Sequence, residues 1–145
     1  YGPYDKFDLE NSHVFGATVN KVLNPNSDTI SIWGDGSEER DLLYISDLVN
    51  FVNIIINSND KEAYILINIG SGITISIKNL VKKIIKVSKM NNKKIIYDNS
   101  KPTVKTAVCL DCSKASSLYG WYPKVSLEEG IKNTISWYKS TKFKL

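Results

Sequence analysis

The segment from Ser76 to Lys89 is the feature that most restricts how this chain can fold. Its apolar residues recur at the i, i+3, i+4, i+7, i+8 spacing of an α-helix, and Ser76 stands before them as a helix cap. The opposite face carries Lys78, Lys82, Lys83, Lys86 and Lys89, which we interpret as a solvated face. A helix with one apolar face must pack against another layer, so the chain is expected to build a layered core.

Strand-like runs and further helical patterns alternate along the rest of the chain. The strand-like runs cover 29–33, 42–45, 64–69 and 94–97. The first helical pattern covers 12–23 and is capped by Asn11 or Ser12, and the second is capped by Asp47 and runs to about Asn57. A short helical stretch follows from Asp111 to Gly120, and the capping box Ser126-Leu127-Glu128-Glu129 opens a final helix. This alternation predicts an α/β protein with a small mixed sheet and helices.

The helical pattern over 47–57 is apolar nearly all round. Its apolar residues are Leu48, Val49, Phe51, Val52, Ile54, Ile55 and Ile56. Such a helix is expected to be buried on more than one side. In a chain of 145 residues, this indicates a partner domain that is not part of the sequence.

Charge and composition exclude several classes of function. The net charge is +4, but the Lys residues are scattered and no basic run carries interleaved aromatic residues, so we expect no nucleic-acid binding. No stretch approaches the ~18 apolar residues of a membrane span. One His and two Cys do not supply a zinc site, so we expect no metal.

Two short motifs each permit a functional and a structural interpretation. Cys109 and Cys112 form C-x-x-C, which fits a redox pair or two reduced thiols of an intracellular protein, and we favour the thiols. Gly70-Ser71-Gly72 follows a strand-like run, as a dinucleotide fingerprint does, but position 75 is Ile and the third glycine is missing. We therefore expect a tight turn there.

His13 and Arg40 are the two residues whose chemistry stands out. His13 lies near the start of a helix, where unpaired N–H groups disfavour imidazolium, so it could exchange protons with a substrate or simply decorate the helix. Arg40 is the only Arg and follows a turn containing Gly34 and Gly36. Its planar fork suits a diphosphate, but an ion pair with Glu38, Glu39 or Asp41 is equally consistent with its position.

Taken in order, these segments resemble the NAD(P)-dependent NDP-sugar epimerase/dehydratase family of extended short-chain dehydrogenases/reductases. The matching segments are Tyr1-Gly2-Pro3, Glu10-Asn11-Ser12-His13-Val14, Trp33-Gly34-Asp35-Gly36-Ser37, Arg40 to Leu48, Asn68 to Gly72, Ser100-Lys101-Pro102, Gly120-Trp121 and Ser126 to Tyr138. Within that family, residues 1–14 are most similar to GDP-L-fucose synthases.

The resemblance implies roles for five residues. His13 aligns with the general acid of the epimerisation steps, and Arg40 aligns with an arginine that contacts the nucleotide diphosphate. Trp33 lies at a substrate-contacting position, Lys21 stands where the family has a basic residue facing the substrate, and Val14 lies along the same pocket wall. The segment 103–108 departs from the family pattern, because the basic residue expected near Ala107 or Val108 is absent.

The resemblance also implies an architecture and an activity. Residues 1–145 would be the C-terminal substrate-binding portion, without the Rossmann half that binds NADP(H), of a cytoplasmic and homodimeric enzyme. The substrate would be a nucleotide sugar, GDP-linked by preference, and the reaction 3,5-epimerisation and NADPH-dependent 4-reduction of a GDP-4-keto-6-deoxy-hexose. Two alternatives stay open, another NDP-sugar 4-epimerase or dehydratase, and a non-catalytic nucleotide-sugar-binding fragment.

Overall fold

Five helices and two small sheets make up the part of the chain that the computed structural model describes, residues 1–101 and 107–142. The helices are α1 (Val14–Leu23), α2 (Ile45–Ile56), α3 (Ile77–Ser88), α4 (Ser113–Tyr119) and α5 (Leu127–Lys142). The strands are β1 (Thr29–Trp33), β2 (Glu39–Asp41), β3 (Thr74–Ser76), β4 (Lys94–Asp98) and β5 (Ala107–Val108). The prediction of a mixed α/β fold is confirmed.

The two sheets differ in how their strands pair. Strands β1 and β4 are parallel, with Ile30 opposite Ile95 and Trp33 opposite Asp98. Strand β2 lies between the other two, antiparallel to β3 and parallel to β5. Arg40 is therefore in the central strand of the second sheet, where neighbours on both sides fix its position in the sheet.

The main hydrophobic core lies where α1, α3 and α5 meet β1. Ile30 and Ile32 alternate with exposed residues along β1, so one face of the strand is buried and the other is not. The helices contribute Phe15, Val19, Val22, Leu80, Val81, Ile84, Ile131, Ile135 and Tyr138 to the core. The apolar face predicted for α3 is confirmed, and four of its five lysines are exposed as expected.

A second, smaller core lies beneath α2. Phe51 packs against Trp121 with ring centroids 5.5 Å apart, and Ala115 is fully buried beside them. Asp47 joins this region to the loop before α5, since its buried carboxylate accepts hydrogen bonds from the backbone N–H groups of Lys124 and Val125 at 3.1 and 3.0 Å. The prediction that Asp47 caps α2 was wrong, because Tyr44 occupies the cap position and Asp47 lies in the first turn.

The beginning of α1 also differs from the sequence prediction. The helix was expected from residue 12 after Asn11 or Ser12, but it begins at Val14 with His13 at the cap position. The Asp8 carboxylate accepts hydrogen bonds from the backbone N–H groups of Glu10 and Asn11 at 3.1 and 2.6 Å. That local turn takes Asn11 out of the helix and moves its start two residues along the chain.

The predicted strand over 42–45 was wrong. The strand lies at Glu39–Asp41 instead, because that segment has a pairing partner on each side. Farther along, the Ile45 N–H donates to the carbonyl oxygen of Tyr1 at 2.9 Å and α2 begins. Apolar content favoured the wrong segment, because residues 39–41 are all charged whereas Leu42 and Leu43 pack, partly buried, against the hydrophobic cores.

Two apolar surfaces that were expected to be buried are exposed. The outer face of α2 presents Ile45, Leu48, Val49, Val52 and Ile56, the last 73% exposed. The segment 64–69 was predicted to be a buried strand, but it has no strand assignment, and Tyr64 and Leu66 are 84% and 79% exposed. In the described ranges, no helix combines the length and apolar content needed to cross a membrane.

Gly130 offers a direct test of the packing between the N-terminal segment and α5. A Cβ at this position would meet the Tyr1 hydroxyl and lie 2.8 and 2.9 Å from Tyr1 Cζ and Cε2. Glycine to alanine normally stabilises a helix by about 0.5–1 kcal/mol. We expect Gly130→Ala to destabilise the protein instead, by about 1–3 kcal/mol, the cost of overpacking.

Urea unfolding of the wild type and variants checks this expectation. Asn133→Ala is the matched control, because it introduces alanine at an exposed position of the same helix and should be neutral or stabilising by a few tenths of a kcal/mol. Equal gains in stability for the two variants would contradict the close approach of Tyr1 to α5.

Candidate functional site

A cavity of about 320 Å³ lies against α1, β1 and the start of α3. Leu9, Glu10 and Ser12 line it from the loop before α1, and Val14, Ala17, Thr18 and Lys21 line it from the helix. Residues 30–33, Glu38, Ile77 and Val81 complete the lining. Its walls are therefore mostly apolar, with a few charged and hydroxyl groups, the composition typical of small-molecule sites.

Helix α1 presents one face to this cavity. Val14, Ala17, Thr18 and Lys21 follow the i, i+3, i+4, i+7 spacing, which places them in a row along one side of the helix. Seven residues of α-helix extend about 10 Å, so Val14 and Lys21 lie roughly that far apart along the axis. The resemblance predicted both residues as substrate contacts, and both line the cavity.

Lys21 is the cation that this helix contributes. Its Nζ donates to the carbonyl oxygen of Ser31 at 2.9 Å, which directs the side chain toward β1. Burial lowers the pKa of Lys21, because partial removal from water disfavours the charged ammonium. An anion in the cavity would offset this cost.

Trp33 ends β1 at the edge of the cavity. The next residue, Gly34, donates its N–H to the carbonyl oxygen of Asp98 at 2.8 Å, and the turn that follows has positive φ at Gly34 and Gly36. A Cβ at Gly36 would come within 3.1 Å of Lys78 Cβ, so only glycine fits that turn easily. The indole of Trp33 is 56% exposed, which leaves an aromatic surface available to a ligand.

Arg40 does not line the cavity, but it forms an ion pair with a residue that does. Its Nη2 is 3.3 Å from Oε2 of Glu38, which does line the cavity, and its Nη1 donates to the carbonyl oxygen of Glu39 at 2.8 Å. The ion pair that the sequence left open is therefore present. The pair is partly buried, with the Arg40 and Glu38 side chains 33% and 19% exposed, and a more strongly charged anion could replace Glu38 as the partner of Arg40.

His13 lies between two residues that line the cavity, Ser12 and Val14, but is not itself in the lining. It is exposed and stands at the cap position of α1, where its carbonyl oxygen accepts the first helical hydrogen bond from Ala17. Its side chain makes no cap hydrogen bond. The imidazole is thus exposed to solvent, and only its neighbours in sequence line the cavity.

Ser12, Glu10 and Glu38 line the cavity without having been predicted as site residues. Their positions in the sequence gave one signal, since Ser12 and Glu10 lie next to or near His13 and Glu38 lies two residues before Arg40.

The divergent segment 103–108 is only partly described. Residues 103–106 lie outside the described residues, and Ala107 and Val108 form β5, where Val108 pairs with Arg40.

The Gly70–Gly72 turn does not fit a dinucleotide phosphate. The N–H groups of Ser71 and Gly72 donate to the Asp41 carboxylate at 2.7 and 3.0 Å, and the Leu110 N–H donates to it at 3.2 Å. Donors that would cradle a phosphate are therefore already committed to a carboxylate. The prediction of a structural turn agrees with this geometry.

The thiols and acidic side chains do not form a metal centre in the described part of the chain. Cys109 and Cys112 are free, and burial raises the pKa of Cys112. No group of three or more His, Cys, Asp or Glu residues suited to a metal ion was found among residues 1–101 and 107–142. The candidate site therefore consists of the cavity and the residues beside it.

The fold is shared with solved nucleotide-sugar enzymes. UDP-glucose 4-epimerase from Thermotoga maritima, solved with UDP-glucose, matches with a TM-score of 0.80 and 29% identity over 98% of this chain and 44% of that chain. The chain is thus a part of an extended short-chain dehydrogenase/reductase. It belongs to the GDP-mannose 4,6 dehydratase family, whose model matches residues 1–134.

Individual relatives are similar to this chain over nearly all of its length. GDP-L-colitose synthase of Yersinia pseudotuberculosis is 34% identical over 145 residues, which are 98% of this chain and 46% of that protein. GDP-L-fucose synthase 1 of Arabidopsis thaliana is 33% identical over 141 residues, which are 95% of this chain and 42% of that protein. The chain spans less than half the length of the relatives it matches.

The lowered pKa of Lys21 makes a prediction about stability and pH. Because the unfolded state holds this proton at higher pH than the folded state, the free energy of unfolding should rise as pH increases between the lowered pKa and about 10.5. We expect the wild type to gain stability relative to Lys21→Met across pH 8 to 10.5, measured by urea unfolding. Lys82→Met, at an exposed position, is the matched control. If the difference in free energy of unfolding between the wild type and Lys21→Met does not change with pH, the burial of the Lys21 ammonium is contradicted.

Proposed function

We propose that this chain binds the nucleotide-sugar substrate of an epimerase/reductase that acts on a GDP-4-keto-6-deoxy-hexose, as GDP-L-fucose synthases do. The observation that most supports this proposal is the cavity, which is mostly apolar and has Lys21 and Trp33 in its lining. Arg40 forms an ion pair with Glu38, which also lines the cavity. A nucleotide sugar combines anionic phosphates with a hydroxyl-rich ring and a planar base, and these groups match cations, hydroxyls and an aromatic surface.

In this proposal, the cations hold the diphosphate. Arg40 exchanges Glu38 for a phosphate, to which its planar fork can donate two hydrogen bonds. Lys21 adds a positive charge from α1, and its desolvation cost falls when the anion binds. Binding energy gained at the phosphates, which do not react, positions the sugar carbons that do.

His13 acts on the sugar as a proton donor. Carbon atoms next to a keto group lose a proton to a base and regain one from an acid, and inversion results when the two groups act from opposite faces. His13 lies in sequence between Ser12 and Val14, which line the cavity, and its exposed imidazole can be reprotonated from solvent. The role assigned to it is protonation at the ring carbon.

The reduction needs a nicotinamide cofactor, which supplies hydride to the 4-keto carbon when bound. The glycine turn at 70–72 does not fit its phosphates, so we expect residues outside this chain to hold NADP(H). The chemistry proposed for this chain is therefore limited to substrate binding and one proton transfer.

The exposed apolar surfaces support a larger parent protein. The outer face of α2 and the segment 64–69 would be covered by a dinucleotide-binding half, since apolar surfaces of this extent are usually buried by a partner. The matched relatives are more than twice as long as the region they share with this chain. The complete enzyme would then form the homodimer expected from the resemblance.

A second candidate is a UDP-sugar 4-epimerase, which the similarity to the Thermotoga maritima structure favours. The carboxylates and hydroxyls of the cavity lining can accept hydrogen bonds from either guanine or uracil, so the lining does not distinguish the two bases. Competition between GDP-mannose and UDP-glucose for the full-length protein, followed by calorimetry, distinguishes the candidates. Preference for the GDP sugar supports the main proposal, preference for the UDP sugar supports the second, and binding of neither contradicts both.

His13 gives the sharpest test of the proton-transfer role. In the full-length protein, His13→Ala should lower kcat by about 10²- to 10⁴-fold, the usual contribution of a positioned acid, and change the substrate Kd by less than about twofold. Incorporation of deuterium from solvent at the epimerised carbons should fall in parallel. His13→Asn, which retains a polar side chain without the acid, should behave in the same way. A turnover within about twofold of the wild type would exclude the role.

Arg40→Lys tests the diphosphate contact. Because lysine preserves the charge but loses the fork, the nucleotide-sugar Kd should rise by the equivalent of about 1–3 kcal/mol. Titration calorimetry on the full-length protein measures this change. Lys82→Ala removes an exposed positive charge from α3 and controls for net charge. An unchanged Kd for Arg40→Lys would contradict a contact between Arg40 and the diphosphate.

A further inference from the structure

Among the described residues, the cavity lining holds two carboxylates and one ammonium group. Glu10 and Glu38 contribute the carboxylates, and Lys21 contributes the ammonium. Because like charges repel, this lining does not by itself attract an anion. A phosphate in the cavity would gain from the positive charge of Arg40, whose guanidinium lies 3.3 Å from the Glu38 carboxylate. A phosphate that binds Arg40 must therefore take the place of Glu38.

Three acidic residues lie close to Arg40 in sequence, and the sheet gives them different contacts. The Glu39 carboxylate accepts a hydrogen bond from a threonine hydroxyl of β3 at 2.6 Å. The Asp41 carboxylate accepts the backbone N–H groups of residues 71–72. Side chains alternate along a strand, so Glu39 and Asp41 point to the opposite face from Arg40. Glu38 is thus the acid of the three that pairs with the guanidinium and also lines the cavity.

The backbone holds Glu38 where it meets Arg40. The Glu38 carbonyl oxygen accepts the N–H of Ile77, the first residue of α3, at 2.9 Å. One residue separates Glu38 from Arg40, so the carboxylate acts as an intramolecular ligand with an effective concentration on the order of millimolar or more. Both side chains are partly exposed, and a dissolved anion can reach them. Such an anion must bind well enough to overcome this tethered competitor.

We propose that Glu38 is a built-in competitor for Arg40, which keeps this cation from small free anions and yields it to the diphosphate of a nucleotide sugar. This inference rests on the proposed function and adds to it the residue that sets the affinity of the site for anions. A nucleotide sugar can replace the carboxylate because its base and sugar gain further contacts in the cavity, where Trp33 is exposed. Inorganic phosphate lacks those contacts, so the same exchange leaves it weakly bound.

The test measures the Ki of inorganic phosphate in competition with GDP-mannose, by calorimetry on the full-length protein. Glu38→Gln keeps the size of the side chain and removes its charge. The Ki of phosphate and the Kd of GDP-mannose should therefore each fall by about 3- to 10-fold, the range of one hydrogen-bonded contact.

Glu39→Gln is the matched control for this test. It removes the same charge next to Arg40, from a carboxylate that is bonded to β3 and is not in the cavity lining. Both constants should stay within about twofold of the wild type. If Glu39→Gln tightens binding as much as Glu38→Gln, the effect is one of net charge and the inference is overturned.

A second comparison shows whether the effect passes through Arg40. Arg40→Met removes the guanidinium, and adding Glu38→Gln to that variant should change neither constant by more than about twofold. A full gain in affinity without Arg40 would mean that Glu38 only repels anions from the cavity, and the competitor role would be wrong.

The remaining outcomes separate this inference from the proposed function. If the wild type binds GDP-mannose and Glu38→Gln leaves both constants unchanged, Glu38 does not compete for Arg40, while the proposed function stands. If the wild type binds no nucleotide sugar, the proposed function fails, and the inference fails with it.

Discussion

The Asp41 carboxylate is the interaction on which the arrangement of the site depends. It accepts hydrogen bonds from Ser71 N–H at 2.7 Å, Ser71 Oγ at 2.6 Å, Gly72 N–H at 3.0 Å and Leu110 N–H at 3.2 Å. One side chain thus joins the end of β2 to the turn before β3 and to the residues after β5. Because Arg40 is the preceding residue, the same contacts that assemble this sheet also fix where its backbone lies.

Elements with a complete local signal could be predicted from the sequence, and elements that depend on distant partners could not. Helices α3 and α5 carry their own periodicity and start where the sequence predicted. Ser76 occupies the cap position of α3 without a side-chain cap hydrogen bond, and Ser126 Oγ accepts the Glu129 N–H, one of the two hydrogen bonds of a capping box. Strand β2 has no apolar pattern of its own, since Glu39, Arg40 and Asp41 are all charged. It is a strand because β3 and β5 pair with it, a cause that no short window of sequence contains.

The same distinction holds for the site. Val14, Lys21 and Trp33 could be expected from the family resemblance, and the cavity brings them together. Ser12 could not, because a serine before a helix has an ordinary explanation as a cap, and only the displacement of the helix start to Val14 removes that explanation. Glu38 was expected only as an ion-pair partner for Arg40, and its place in the cavity lining depends on the turn between β1 and β2.

Two exposed apolar surfaces indicate where a further layer would pack. Residues 64–69 have strand-like composition but form no strand, and the apolar outer face of α2 is not covered by the described residues. One added layer could bury both of these apolar surfaces. In the proposed enzyme, the dinucleotide-binding half would supply this layer, and it would lie against α2 and residues 64–69.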